Sequence, residues 1–261
     1  MNLLLIDREE LRSDGTCTVE GRRAQHLRAV LGVEVGSTVR AGLVGGSLGS
    51  AEVIATDGDV VLRFTATGVI PSPLAVDLVL AIPRPKVITR TIEIAASFAV
   101  NRIDLTNAWR VDKSYLGSPR LEAGALALAA RFGAEQGATT HIPPLAVHER
   151  LMSLLDERFP APAPAADPST VTTTVTTTDT LLIAHPGAPP LEQVVTRIAP
   201  TVLAIGPEGG WIERELETFI ARGFQPVSLG APILRVEAAV ASALGQLALI
   251  HRIVGSLAKG G

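Results

Sequence analysis

Two glycine-rich segments in the C-terminal third of the chain have the spacing of a ligand site. The first reads GPEGG, from Gly206 to Gly210, and follows the apolar run VLAI at 202–205. A helical pattern comes next, so turn N–H groups and a helix N-terminus are predicted to face the carboxyl end of a strand. The Glu208 carboxylate can accept hydrogen bonds from a ribose or an amine. A plain strand-to-helix turn, with glycine needed only for its dihedral angles, explains this motif alone equally well.

A second glycine turn favours the ligand site. The segment LGAPILR at 229–235 again follows a strand-like run and precedes a helical one. Two such turns can enclose one cofactor between them. A phosphate-binding nucleotide enzyme is a weaker interpretation, because no P-loop lysine follows the glycines and no acidic metal cluster is visible.

The elements around these turns indicate an α/β fold. From residue 74 onward, strand-like and helix-like runs alternate, which predicts a mostly parallel sheet with crossover helices and a final long helix at about 236–257. Residues 39–70 instead show short β-branched runs between glycine turns, typical of a small antiparallel domain. We therefore predict domains at 1–70 and 74–261. The stretch 160–168 is predicted as a loop, and the Thr/Val tract at 169–180 as a loop that runs into a strand at 181–184.

Composition limits the possible functions. The formal net charge is −3, so binding to a polyanion would need a local basic patch. One cysteine excludes an intramolecular disulfide framework and a Cys-based zinc site, and we expect no metal. The first residues show no basic leader, and no apolar stretch reaches the roughly 20 residues of a membrane span. We expect a cytoplasmic protein without a membrane partner.

The two turns resemble those of the RsmE family of ribosomal RNA uridine N3-methyltransferases, in the SPOUT superfamily. The family combines a GPEGG loop, a leucine-glycine turn and an LR-x-E-T-A segment. Here these read GPEGG at 206–210, LG at 229–230 and LRVEAA at 234–239. The segment LLIAHP at 181–186 resembles the family's third pocket strand, and HLRAVL at 26–31 resembles its N-terminal helix.

The resemblance implies an architecture and a cofactor. The catalytic domain is expected to be a SPOUT-type trefoil-knotted methyltransferase domain, preceded by a small PUA-like β-barrel domain that binds RNA. S-adenosyl-L-methionine is expected to bind in a bent form, largely through main-chain groups. The implied cofactor contacts are Leu182, Ala184, His185, Ile205, Gly206, Pro207, Gly209, Gly210, Leu229, Gly230, Ile233 and Leu234.

The implied reaction is methylation of a uridine N3 in small-subunit (16S) ribosomal RNA, with an assembled small subunit as the expected substrate. Arg235 is the candidate for stabilising negative charge on the uracil, and Glu208 and Glu237 are candidate proton acceptors or orienting groups. Alternatives are methylation of another rRNA or tRNA nucleotide, or an RNA-binding assembly protein that has lost catalysis. The last is motivated by a middle segment that departs from the family pattern.

The expected RNA contacts fall in two places. Arg22, Arg23 and Arg28 concentrate positive charge near the N-terminus, although they equally fit a solvated scatter. In the divergent middle segment the candidates are Lys86, Trp109, Arg110, Lys113 and Tyr115. Trp109 suits stacking on a splayed base, but a core tryptophan beside surface charges is equally compatible with the sequence.

The C-terminal helix predicts an oligomer. It is apolar at Val240, Ala243, Leu244, Leu247 and 250–253, more than a lone surface helix requires. In the family this helix packs on a second subunit, so we expect a homodimer through it; burial within one chain is the alternative.

Overall fold

A computed structural model describes residues 2–161 and 179–257. Most of the low-complexity stretch, with the loop predicted at 160–168 and the tract at 169–180, lies at 162–178, outside the described residues. The rest divides into two compact units. The first comprises 2–73 with Ala96–Ala99 and Ala130–Ile142, and the second comprises Leu74–Ala95, Val100–Ala129 and the described residues from Pro143 onward. Separate folding of domains at 1–70 and 74–261 stays a prediction.

The first unit is built on a five-stranded mixed sheet. Its strands are β1 (Leu4–Ile6), β2 (Thr16–Val19), β3 (Thr38–Leu43), β4 (Leu48–Ala55) and β5 (Val60–Ala66), in the spatial order β1-β3-β4-β5-β2. The β1–β3 pair is parallel and the other pairs are antiparallel. Helix α1 (Gly21–Ala29) buries Ala24 and Leu27 in the core of this unit. The short strands and glycine turns predicted at 39–70 are confirmed.

The second unit contains a six-stranded parallel sheet. Its strands are β6 (Leu74–Ala81), β7 (Val100–Thr106), β8 (Leu145–His148), β9 (Thr180–Ala184), β10 (Thr201–Ile205) and β11 (Gln225–Val227). The order is β11-β9-β10-β6-β7-β8, and every neighbouring pair is parallel. This confirms the predicted α/β class. The carboxyl ends of β9, β10 and β11 therefore meet at one edge of the sheet, where ligands of such sheets bind.

Helices connect these strands. They are α2 (Pro85–Ser97), α3 (Ala123–Gly137), α4 (Leu151–Arg158), α5 (Leu191–Val194), α6 (Glu213–Ile220) and α7 (Val236–Leu257). Phe219 of α6 packs between two other aromatic rings. Its ring centroid lies 5.0 Å from that of Trp211 and 4.9 Å from that of Phe224. These rings bury the connection between β10 and β11, which fixes the position of the loop that precedes α6.

Helix α7 has the apolar character predicted for it. Val236–Gly255 is long and apolar enough to cross a membrane by length and composition, with a mean hydropathy of 1.4, so the expectation that no apolar stretch reaches this length is wrong. Length and composition alone are weak evidence for a membrane segment. Most of the apolar residues from which a dimer was predicted are buried within the chain itself, which was the alternative: Val240, Ala243, Leu244 and Leu247 are fully buried, and Ile250 is 8% exposed. On the same helix Leu249 is 47% exposed and Ile253 is 51% exposed.

A buried carboxylate ties β7 to its neighbours in the second unit. Asp104 on β7 is fully buried and accepts hydrogen bonds from Arg102 at 2.9 Å and from Arg158 on α4, and it lies 2.9 Å from His148 Nε2. Arg158 also donates to Asp77 of β6 at 2.5 Å. Burial raises the pKa of Asp104. The hydrogen bonds from Arg102 and His148 and the charge of Arg158 lower it by more than burial raises it, so the pKa lies below its ordinary value. The folded protein therefore favours the ionised form of Asp104.

Replacing this carboxylate should destabilise the second unit. We expect Asp104→Asn to lower the free energy of unfolding by about 3 kcal/mol near neutral pH, because Arg158 and Arg102 lose a buried counter-charge. The folded pKa of Asp104 is depressed, so the wild-type advantage is fully present above the unfolded pKa and shrinks as the pH falls through the folded pKa. Urea unfolding at a series of pH values measures this difference.

The matched control is Asp156→Asn, which removes the exposed carboxylate that pairs with Arg222. We expect less than about 0.5 kcal/mol from that change. Equal losses from the two substitutions, or a loss at Asp104 that does not depend on pH, would contradict the described network.

Candidate functional site

A cavity of about 850 Å³ opens at the edge where β9, β10 and β11 end. Its walls are the loop after β9, the GPEGG loop after β10, the glycine turn after β11 and the first turns of α7. All of these segments belong to the second unit. The two glycine turns, which were predicted from the sequence to enclose one ligand, therefore line a single cavity.

Most of the predicted cofactor contacts line this cavity. The lining includes Ala184, His185, Ile205, Gly206, Pro207, Gly209, Gly210, Leu229, Gly230, Ile233 and Leu234. Leu182 does not line it. That residue is fully buried two positions inside β9, where its backbone pairs with β10 and β11.

The GPEGG loop lies directly against Trp211. A Cβ on Gly206 would stand 3.2 Å from the Trp211 backbone nitrogen and from two atoms of its indole ring, so this position has no room for a larger residue. Gly210 has a φ of 73°, which favours glycine. Trp211 lines the cavity and is only 6% exposed, and its indole Nε1 has no hydrogen-bond partner among the residues that the structure describes. Main-chain atoms therefore form much of this wall.

Two arginines that follow other strands hold the GPEGG loop. The backbone N–H of Arg84, after β6, donates to Glu208 Oε1 at 3.0 Å, and its guanidinium lies 3.8 Å from the same carboxylate. Arg110, after β7, donates to the carbonyl of Gly209 and itself lines the cavity. Sequence reasoning did not include Arg84, because only the sheet order brings the β6 loop to this site.

The second glycine turn is held from α7. Gln246 Nε2 donates to the carbonyl of Leu229 at 3.0 Å, and it also bonds to the Ser242 hydroxyl at 2.9 Å. Gly230 has a φ of 133°, which few other residues adopt. Ile233, three residues after Gly230 in the same turn, is 87% exposed, so its apolar side chain is open to solvent. Gln246 was absent from the predicted site, since nothing in its helical context distinguishes it.

The predicted catalytic residues differ in their positions. Glu208 lines the cavity. Arg235 and Glu237 are not among the lining residues: Arg235 is exposed just before α7, and Glu237 is partly exposed in its first turn. The carbonyl of Arg235 accepts the N–H of Ala239, which closes the first turn of α7. Their roles in catalysis stay predictions.

The predicted RNA contacts in the middle segment lie on the surface of the second unit. Trp109 is 78% exposed, so the alternative of a core tryptophan is wrong. Lys86 on α2 and Lys113 are exposed, whereas Tyr115 is partly covered. Arg110 alone of this set lines the cavity.

The three arginines of α1 differ as well. Arg28 is exposed. Arg22 lies over the Phe132 ring, 3.8 Å from its centroid, and keeps solvent exposure. Arg23 is largely covered; it pairs with Glu10 and donates to the carbonyl of Leu5, so its charge is already used within the first unit. Of the three, Arg22 and Arg28 remain candidates for phosphate contacts.

Within residues 2–161 and 179–257, no group of three or more His, Cys, Asp or Glu side chains could hold a metal ion. The thiol of Cys17 lies in the first unit and is buried. Burial raises its pKa to about 11, so the thiolate that a covalent mechanism needs is scarce at neutral pH.

Comparison with known proteins identifies the family. Residues 70–248 match the family described as RNA methyltransferase domain, which covers more than half of the chain. The chain belongs to the RNA methyltransferase domain family. The resemblance that rested on the GPEGG and LRVEAA segments is thereby confirmed.

Individual relatives agree with this assignment. The chain is 27% identical over 93% of its length to ribosomal RNA small subunit methyltransferase E of Treponema pallidum, covering 89% of that protein. It is 57% identical over 49 residues, 19% of the chain and 16% of the relative, to the protein of the same name from Synechocystis. The crystal structure of ribosomal RNA small subunit methyltransferase E from Neisseria gonorrhoeae bound to S-adenosyl methionine shares the fold, with a TM-score of 0.74, 21% identity and coverage of 96% and 98% of the two chains.

The close approach of Gly206 to Trp211 makes a testable prediction. We expect Gly206→Ala to lower the free energy of unfolding by about 1–2 kcal/mol, because the new methyl group meets a backbone nitrogen that cannot rotate away. Gly124→Ala is the matched control, since a Cβ there meets no atom within 4 Å in a helix that alanine favours. Chemical denaturation of both variants measures the difference. A Gly206→Ala protein as stable as the Gly124→Ala protein would contradict the described loop.

Proposed function

We propose that the protein transfers a methyl group from S-adenosylmethionine to N3 of a uridine in 16S ribosomal RNA of the small subunit. The observation that carries this proposal is the cavity at the ends of β9, β10 and β11, which both family-specific glycine turns line. The names of the T. pallidum and N. gonorrhoeae relatives support small-subunit ribosomal RNA as the substrate, and the S-adenosyl methionine bound to the latter supports the cofactor. The choice of uridine N3 rests on the resemblance to the RsmE family.

The cavity residues fit this cofactor. Gly206, Gly209 and Gly210 line the cavity without side chains, so the main chain of the GPEGG loop can approach a ligand closely. His185, Leu229 and Leu234 would contact it together with the GPEGG loop, and the cavity is large enough for a molecule of this size. S-adenosylmethionine supplies an electrophilic methyl group on a sulfonium.

The chain's own residues have two tasks in this reaction. The proton on uridine N3 must leave, and the negative charge that then develops on the uracil must be stabilised. Glu208 is the best placed of the candidate carboxylates, since it lines the cavity and Arg84 fixes its orientation. Arg235, at the end of the second turn, would place a cation beside a uracil carbonyl oxygen. Glu237 would orient Arg235 or a loop N–H.

The assignment of Arg235 can be tested directly. We expect Arg235→Ala to lower turnover by about 100-fold or more, the usual effect of removing one preorganised group, while affinity for S-adenosylmethionine stays unchanged. Arg150→Ala is the control, because Arg150 is equally exposed and lies before α4. Full turnover in the Arg235→Ala protein would remove Arg235 from the mechanism.

The target nucleotide calls for a test in cells. Total RNA from a strain without the gene should lack one 3-methyluridine in its small-subunit RNA, and the wild-type gene should restore it. Mass spectrometry of nucleosides separates this product from other methylated uridines. Loss of a different methylated nucleoside would identify another rRNA or tRNA target, and unchanged nucleosides would favour an assembly protein without catalysis.

The family also supports finer features of the architecture. We propose that the second unit is trefoil-knotted near the GPEGG loop and that the first unit is a PUA-like RNA-binding domain. Arg22 and Arg28 would contact phosphates there, with an assembled small subunit as the partner. The cytoplasm is the compartment that this substrate requires.

We further propose a homodimer through α7. Its support is the apolar character of Val236–Gly255 together with the exposed side chains of Leu249 and Ile253, since most of the other large apolar residues of this helix pack within the chain. Leu249→Asp should convert the dimer to a monomer in sedimentation velocity at micromolar concentration, because Leu249 is 47% exposed on this helix. Leu128→Asp, at a leucine 51% exposed on α3, is the matched control and should stay dimeric. A wild-type monomer would contradict the proposal.

A further inference from the structure

The turn after β7 presents an indole beside the cavity. Trp109 stands at the tip of this turn and is 78% exposed. Its neighbour Arg110 lines the cavity and donates to the carbonyl of Gly209. A lone exposed apolar side chain needs no explanation, but this one is adjacent in sequence to a cavity wall.

The turn is rigid, although the side chain at its tip is free. Asn107 Oδ1 accepts the N–H of Ala108 at 3.0 Å, and the N–H of Val111 donates to the carbonyl of Ala108 at 3.0 Å. The backbone N–H of Trp109 donates to Glu215 Oε1 on α6 at 2.8 Å. An exposed aromatic ring on a fixed backbone presents a flat apolar face at little entropic cost on binding.

Glu215 links this turn to the glycine loop. Its second oxygen, Oε2, accepts the N–H of Ile212 at 3.1 Å, directly after the GPEGG loop and Trp211. One carboxylate therefore fixes both the tip that carries Trp109 and the start of α6.

From this geometry we infer that the Trp109 indole is a stacking surface for an unpaired RNA base next to the cavity, and that Glu215 is the residue that positions it. This inference rests on the proposed function and narrows its substrate to single-stranded RNA. An indole face stacks on any base, while the neighbouring Arg110 and Lys113 provide positive charge for the phosphates. The negative net charge of the chain makes such local contacts necessary.

The two tryptophans of the chain make the stacking visible by fluorescence. Trp211 is 6% exposed and Trp109 is 78% exposed, so iodide should quench Trp109 and leave Trp211 almost unaffected. Added single-stranded oligouridylate should quench the emission further and protect it from iodide, with and without S-adenosylmethionine. The Trp109→Phe protein identifies which signal belongs to Trp109. Binding of the oligonucleotide without any change in Trp109 emission would overturn the inference.

Affinity measurements separate stacking from charge. We expect Trp109→Ala to weaken oligouridylate binding by about 5- to 100-fold, the loss that follows removal of one base–aromatic stack, with Trp109→Phe retaining most of the affinity. An abasic ribose-phosphate oligomer should bind the wild-type and Trp109→Ala proteins equally. Leu128→Ala, at an exposed leucine on α3, is the control and should bind as wild type does. Affinity within about twofold of wild type in the Trp109→Ala protein would refute the stacking role.

A double-mutant cycle tests the positioning role of Glu215. Glu215→Ala should weaken oligouridylate binding and raise the KM for RNA more than it changes kcat, with partial recovery in Glu215→Gln. The same change in a Trp109→Ala background should have little effect, since the ring that it positions is absent. Equal losses in both backgrounds would show that Glu215 acts only on the fold. Calorimetric binding of S-adenosylmethionine to each variant tests the proposed function separately.

Discussion

The parallel pairing of β10 with β9 on one side and β6 on the other determines where everything else in the second unit lies. Parallel strands end at the same edge, so the loops after β6, β9 and β10 meet, and β11 adds a fourth through its pairing with β9. No loop in this set forms the cavity alone. If the register of β10 shifted by one residue, the GPEGG loop would move relative to both the Arg84 peptide and the second glycine turn.

This arrangement depends on a rigid sheet, and β10 is buried along its whole length. At the other side of the sheet Asp104 joins β7, β8 and α4 through polar contacts with Arg102, His148 and Arg158 instead of apolar contacts. Such a network is satisfied only when all three elements are in place, which favours one arrangement of the turn after β7. That turn carries Arg110 to the cavity wall and leaves Trp109 in solvent, so the fold determines both a cavity wall and an exposed indole next to it in sequence.

The sequence was sufficient to predict those features of the fold and of the site that depend on short-range geometry. The GPEGG and LGAPILR turns could be predicted because glycine spacing, flanking strands and the following helices are local, and residues 206–210 and 229–234 do line one cavity. The α/β class followed from the alternation of elements for the same reason. The strand at 181–184 and the helix at 236–257 agree with β9 and α7.

What the sequence could not provide comes from contacts between distant segments. Arg84 and Gln246 reach the site only through sheet order and helix packing, so neither has a local pattern that marks it. Leu182 belonged to a correctly predicted strand but lies too deep in it to reach the cavity. Exposure of Trp109 could not be decided from the sequence, because a tryptophan close to charged residues fits a core or a surface equally well.

The central claim is that this cavity binds S-adenosylmethionine, and calorimetric titration of the purified protein with that cofactor tests it most directly. The account predicts saturable binding with one site per chain, which Gly206→Ala weakens and Gly124→Ala leaves unchanged. A folded protein that releases or absorbs no heat and shows no binding by an independent dialysis measurement would contradict it, and the cavity would then need a different ligand.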